Sequence, residues 1–276
     1  MTDYPTGIGT SDHDSITLLG HDLAGELMGK VGFGELAYWL ATKRRPTAGQ
    51  LRVFEAVLVS LADHGFTPTA IAARLTLYSA PDSLQGAMAA GLLGGGSRFL
   101  GVTEDTGAYL HAIVETCGDT SEWDDSDWDA IASAVLVRAK EDGRKVPGLG
   151  HPVHKDGDPR TPVMIAIADE EGVMGPHLRL FQAIGRMAPE ALGRALPLNG
   201  AGVAGAALAD AGLPVPMLRG FALLARAAGL IGQLAEELEA PIGPLVYDEV
   251  DRHALYRPET SGPETSGPAT SDRGDD

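Results

Sequence analysis

A single cysteine, Cys117, stands among the 276 residues. That excludes an intrachain disulfide and a cysteine-rich metal framework, and it suits a reducing compartment. Positive charge is scarce too: 21 Lys and Arg face 38 Asp and Glu, a net charge of −17. Such a balance argues against non-specific nucleic-acid binding and against an anionic membrane surface, while leaving room for a local basic pocket for a phosphorylated ligand. No apolar run approaches the ~20 residues of a membrane span, and the opening MTDYPTGIGTSDHDS lacks the basic and apolar regions of a secretory leader. The expectation is a soluble, cytoplasmic chain with no nucleic-acid or membrane partner. Runs of β-branched and aromatic residues at strand spacing are also nearly absent, so the fold is predicted to be all-α, with room only for short strands near 144–155 or 244–247.

What is present is a 44% hydrophobic content, enough for a sizeable core. Asp22 is placed to cap a first apolar segment, Thr47 opens a helix carrying Leu51, Phe54, Val57, Leu58 and Leu61, and Thr67-Pro68 starts a third. Residues 127–140 read as amphipathic. From 217 to 238, Met217, Phe221, Leu224, Ala228, Ile231, Leu234 and Leu238 hold helical spacing. Residues 1–18 read as a loosely ordered N-terminal segment. The end, 259–276, repeats ETSGP, has almost no apolar side chains, and reads as a disordered acidic tail.

Two stretches invite chemistry. GLLGGGSRFLG, 91–101, is glycine-rich, yet it follows a predicted helix rather than a strand and lacks a GK[ST], so a dinucleotide or nucleoside-triphosphate loop does not fit. A tight turn and a close substrate approach both remain open. KVPGLGHPVHKDGDPR, 145–160, sets His151 and His154 among ionisable residues and among glycines and prolines that give a loop a fixed shape. His151, His154, Asp156 and Asp158 are metal-ligand types. There is, however, no HExxH helix and no acidic residue at the twelfth position of a calcium loop, so no metal site is expected.

VPGLGHPVHKDGDPR resembles the loop of citrate synthase-like enzymes in which G-x-G-H is followed, nine residues after the histidine, by the arginine of Asp-Pro-Arg. GLLGGGSRFLG, PLNGAGVAGAALAD (197–210) and RAAGLIGQ (226–233) resemble further stretches of the citryl-CoA lyase module of that superfamily, in the same order over roughly 20–257. The resemblance implies a nearly all-α, citrate synthase-like fold. Its large domain would be 19–100 with 213–258, and its small domain 101–212, with a homodimer as the usual assembly. It implies no permanently bound cofactor: coenzyme A enters as part of an acyl-CoA substrate, alongside a small keto or hydroxy acid. His151 would hydrogen-bond the substrate hydroxyl or keto oxygen, with Ser97 as a further catalytic candidate. Arg160, Arg226, Arg98 and Asn199 would hold the substrate, and Arg144, Lys145, Val146, Pro147, Gly148 and Gly150 would bind CoA. Lys155 is a weaker candidate for the CoA phosphates. By pattern alone, Arg160 reads equally as a surface cation in a loop, and Arg226 as a solvent-facing residue off the apolar face of its helix.

The sequence departs from the family twice. The catalytic aspartate of the family's Leu-Asn-Val-Asp matches Ala201, and Asp210, nine residues on, sits about 180° round a helix from it. The second histidine of citrate synthase falls near Ser97, a loss shared with the lyase module. The leading expectation is retro-aldol cleavage of a 3-hydroxy-3-carboxyacyl-CoA, by default citryl-CoA, to acetyl-CoA and oxaloacetate. A diverted acyl-CoA substrate, and a catalytically silent CoA-binding protein, are the alternatives that Ala201 raises.

Overall fold

The structure, a computed structural model, describes residues 3–151 and 154–257, so the expected acidic tail lies outside the described residues. The N-terminal segment is not loose as expected. Gly9–Ser11 (β1), Ile16–Leu18 (β2) and His21–Asp22 (β3) form an antiparallel meander, with Thr10 opposite Thr17 and Leu18 opposite His21. Strands of two or three largely exposed residues are too short to show an alternating pattern. Of the short strands allowed elsewhere, 144–155 contributes one bridge, Leu149 to Leu198, and 244–247 is helical.

The helices start where the caps predict. Asp22 accepts from the Gly25 N–H at 2.6 Å and opens a π-helical turn, Leu23–Leu27, ahead of α1 (Phe33–Thr42). Thr47 and Gln50 form a reciprocal capping box, at 3.1 and 3.0 Å, at the head of α2 (Ala48–Leu61). Thr67 caps α3 (Pro68–Ser79), with the proline where no N–H is missed. Then come α4 (Leu84–Leu93), α5 (Val102–Cys117), α6 (Asp125–Glu141), α7 (Arg160–Glu170), α8 (Pro176–Leu192), α9 (Gly200–Asp210), α10 (Leu218–Glu239) and α11 (Gly243–Arg252).

Helix α9 is the axis of the core. Val203, Ala204, Ala206, Ala207 and Leu208 have no solvent exposure, and the chain is built of residues small enough for neighbours to close on it from every side. Gly205 is the tightest point, since a Cβ there would run into the Thr103 carbonyl of α5. Helices α2, α7 and α8 complete the packing, and α6 covers α8. One core cluster runs from Tyr38 and Phe54 through Trp128 and Phe181 to Phe221, joining the two units expected from the sequence. Each such side chain contributes about 1.5–3 kcal/mol when fully buried. A second cluster, Ala73, Leu77, Ala87, Leu230 and Leu234, joins α3, α4 and α10.

Contrary to expectation, Val215–Glu239 is long and apolar enough, by length and composition, to cross a membrane. A core helix passes the same test. Here Arg226, Gln233 and Glu237 are buried on it and bonded to α2, α3 and the segment between them. The tip of α2, the turn before α5, the N-terminus of α9 and the end of the 146–151 loop converge on one cavity.

Candidate active site

The loop ahead of His151 is held by backbone conformation and by stitching. Gly148 and Gly150 have φ of +78° and +91°, and a Cβ on Gly148 would lie 2.8 Å from the Phe181 ring, so glycine is required at 148 on both counts. Gly150 N donates to Pro197 O at 2.7 Å, Asn199 N to Gly148 O at 2.9 Å, and Asn199 Nδ2 to Gly150 O at 2.8 Å. Asn199 Oδ1 meanwhile caps α9, accepting from Gly202 N at 2.8 Å. Both ends of this amide are engaged, so the residue expected to touch substrate fastens the loop to the helix while lining the cavity.

Asp158 is the centre of the polar cluster, with no side-chain exposure. Its Oδ1 accepts from Arg160 Nε at 3.0 Å and its Oδ2 from Arg160 Nη2 at 2.8 Å, a bidentate pair. The Gly200 N–H at the head of α9 donates to Oδ2 at 2.6 Å. Burial alone would raise this carboxyl, but the hydrogen bonds from Arg160 and Gly200 outweigh it and hold the group well below the carboxylate range. Arg160 is thus not a loop-borne surface cation: it begins α7, and its Nη1 also donates to Ser60 O at 3.2 Å. Asp158 and Ser60 use three of the five guanidinium donors. Gly200 has to be glycine, because a Cβ would meet the Arg160 guanidinium.

His151 lies against this cluster, its Nε2 3.8 Å from Asp158 Oδ2 and its Nδ1 accepting from the His154 N–H at 2.9 Å. An Nδ1 that accepts leaves the neutral ring's proton on Nε2. Burial lowers the His151 pKa. Asp158 opposes the shift, while His154, Arg160 and His64 add to it, so the ring is neutral near pH 7.

His151, Arg160, Arg226, Arg98, Asn199 and Ala201 all line one cavity of about 310 Å³. Arg226 is buried rather than solvent-facing, because α10 packs that side against α2 and the start of α3. It donates to Thr67 Oγ1, Thr69 Oγ1 and Leu61 O at long distances of 3.3–3.4 Å, and its buried Nε finds no partner among the described residues. Burial lowers its pKa, Asp63 opposing and Arg160 adding to the shift, but an arginine stays charged. Ala201 occupies the first turn of α9, so the positive end of that helix faces the cavity beside a methyl group. Asp210 is engaged elsewhere, accepting from Gly175 N, His177 N and Leu178 N at the head of α8.

A second, basic cleft of about 840 Å³ shares His151 with the first. Arg144, Lys145, Val146 and Gly150, four of the residues named for CoA from the sequence, line it with Lys155 and with Lys140 and Arg194, which were not named there. Lys155 Nζ donates to His151 O at 2.9 Å. Pro147 lines a neighbouring hollow, and Gly148 is buried under Phe181. Ser97 is exposed in the turn between α4 and α5 and does not line the His151 cavity.

Two residues at this site escaped the sequence reading. Asp158 is singled out there only as a ligand type. His64 follows α2 and lies 6.1 Å, ring to ring, from His151. The signal that could have found it is the Asp63-His64-Gly65 turn, where Asp63 accepts from the Gly65 N–H at 2.8 Å.

The description "Citrate synthase, C-terminal domain" matches residues 32–258. The solved citryl-CoA lyase of Hydrogenobacter thermophilus superposes with a TM-score of 0.79 at 28% identity, covering 94% of this chain and 97% of that one. An aspartate-to-alanine variant of Methanosaeta concilii ATP citrate lyase, in complex with (3S)-citryl-CoA, gives 0.75 at 22% identity over 94% of this chain and 42% of its own. That likeness concerns the fold alone. A citrate synthase of Deinococcus radiodurans is 27% identical over 214 residues, 74% of this chain; the match spans about half of that relative, 51%.

Proposed function

Because the chain belongs to the citrate synthase family, we propose that it is a citryl-CoA lyase-like carbon–carbon lyase, cleaving a 3-hydroxy-3-carboxyacyl-CoA to acetyl-CoA and a keto acid. The default substrate is citryl-CoA, with oxaloacetate as the keto product. One observation carries the reading: an imidazole and two arginine forks face one cavity, and the same imidazole borders a cationic cleft. In the cleavage direction the tertiary hydroxyl gives its proton to water in the cavity, the carbon–carbon bond breaks, and its electron pair passes to the thioester as an enolate, which takes a proton back from water. Arg160 and Arg226 bind the substrate carboxylates, for which a planar guanidinium is suited. His151 donates from Nε2 to the hydroxyl oxygen as it becomes a ketone. Lys140, Arg144, Lys145, Lys155 and Arg194 supply the charge for CoA phosphates. The head of α9 stabilises negative charge developing at the thioester. In this reading CoA enters with the substrate, no cofactor is permanently bound, and the protein is a cytoplasmic homodimer.

Ala201 supports a second reading. It lines the cavity where the family's aspartate would move protons at the acetyl carbon, so a diverted acyl-CoA substrate or a silent CoA-binding role is the alternative. Purified protein is incubated with citryl-CoA and oxaloacetate release is followed. Release supports lyase activity. No release with CoA binding intact eliminates it, and activity gained by Ala201→Asp then marks a chain that has lost or diverted the family reaction.

A further inference from the structure

The motif RAAGLIGQ, 226–233, contributes Arg226 to the cavity and ends on a second polar residue that has no part in the mechanism. Gln233 lies seven residues, two turns, beyond Arg226, on the same face of α10, and it is buried. Both ends of its amide are committed. Oε1 accepts from Arg74 Nε at 2.8 Å, and Nε2 donates to Asp63 Oδ1 at 2.9 Å. An arginine only donates and an ionised aspartate only accepts, so the two partners fix which way the amide points. The other oxygen of Asp63 closes the turn after α2, accepting from Gly65 N at 2.8 Å, with Gly65 at φ +70°. His64 rides in that turn and Phe66 follows it, and both line the cavity. Arg74 holds Phe66 as well, its guanidinium 5.0 Å from the centre of the ring.

We propose that Gln233 is a positioning residue for the keto-acid end of the substrate, acting through Asp63. This rests on the lyase-like reading of the cavity. Burial alone would raise the Asp63 pKa, but the hydrogen bonds from Gly65 and Gln233 and the charge of Arg226 outweigh it. Asp63 is thus the anchored negative charge that offsets buried Arg226. Arg226 depends on that charge, because its own hydrogen bonds are long and its Nε has no partner among the described residues. Arg160 has a direct bidentate carboxylate; Arg226 has one set at a distance and held in place by an amide. Without the Gln233 Nε2–H, Asp63 loses the bond that ties it to α10, and Arg226, His64 and Phe66 lose their common reference. None of the residues lining the cationic cleft comes from this turn or from α10, so the effect is confined to the keto-acid end.

Two variants of the full chain test this. Gln233→Met keeps the length and loses both hydrogen bonds. Gln233→Glu keeps the bond from Arg74 but meets Asp63 with a second carboxylate. Oxaloacetate and CoA are each titrated by calorimetry into wild type and variants. Oxaloacetate is expected to bind both variants about tenfold more weakly, within the range that a small misplacement far from the chemistry produces. CoA binds as it does to wild type, a split that general loss of stability would not give. Circular dichroism checks folding, and the conservative Gln233→Glu decides where Gln233→Met fails to fold. Undiminished oxaloacetate binding in a folded variant, or CoA affinity falling by the same factor, overturns the proposal and leaves the reading of the cavity intact. A wild type that binds no oxaloacetate overturns that reading and the proposal with it.

Discussion

Asp158 joins Arg160, His151 and the head of α9 through one buried carboxylate. Its folded pKa is depressed, so its stabilisation is fully present above the unfolded value of about 3.9 and is lost as pH falls below it. Asp158→Asn strands the Arg160 charge and is expected to cost about 3–5 kcal/mol. Urea midpoints should drop at neutral pH, and the difference from wild type should narrow as pH falls from about 4. At His151 the shift is also downward, with burial first among its causes. The neutral ring therefore persists below the ordinary value of about 6.5, and NMR titration of the His151 ring should give a midpoint under it. His154→Ala removes one of the charges that lowers His151, so the midpoint should rise toward the ordinary value.

At the scale of elements, α3, α10 and α11 are held by a buried ionic knot. Arg74, 1% exposed, donates from Nη1 to Glu237 at 3.0 Å and from Nε to Gln233 at 2.8 Å, and it also pairs with Glu236. Glu237 in turn accepts from Ile242 N and Gly243 N, fixing the start of α11. Arg74→Ala leaves Glu237 buried without its cation and is expected to cost about 3–5 kcal/mol, read as a lower thermal midpoint. The crossing of α5 and α9 depends on sterics instead. In Gly205→Ala the helix gains about 0.5–1 kcal/mol of propensity. Overpacking against the Thr103 carbonyl, which is backbone and cannot rotate aside, costs about 1–3 kcal/mol. The balance is destabilising, and thermal melting checks the sign.

For the whole molecule, Ile231, Leu238, Leu245 and Val250 leave an apolar strip on α10 and α11, each 61–70% exposed. The homodimer proposed above is expected to bury it. Sedimentation should give twice 28.7 kDa, and Leu238→Glu with Leu245→Glu should halve that mass; a monomeric wild type overturns this. The helical fold was legible because Thr47, Thr67 and the 217–238 run announce helices locally. The N-terminal meander was not, because pairs of short exposed strands have no periodicity to read. At the site, His151, Arg160 and Arg226 were legible through motifs, whereas the burial of Arg226 comes from packing against α2 and α3. His64 and the role of Asp158 arise from contacts between distant segments. Such contacts leave no trace in spacing.

The bidentate hold of Asp158 on Arg160 has a consequence for speed. An arginine without such an anchor samples many rotamers and must be stilled whenever an anion arrives. Here the guanidinium is already parked by Asp158 and Ser60, with two of its five N–H donors left over. Ligand capture at this arm therefore resembles docking onto a fixed berth, and the ordering was completed when the chain folded.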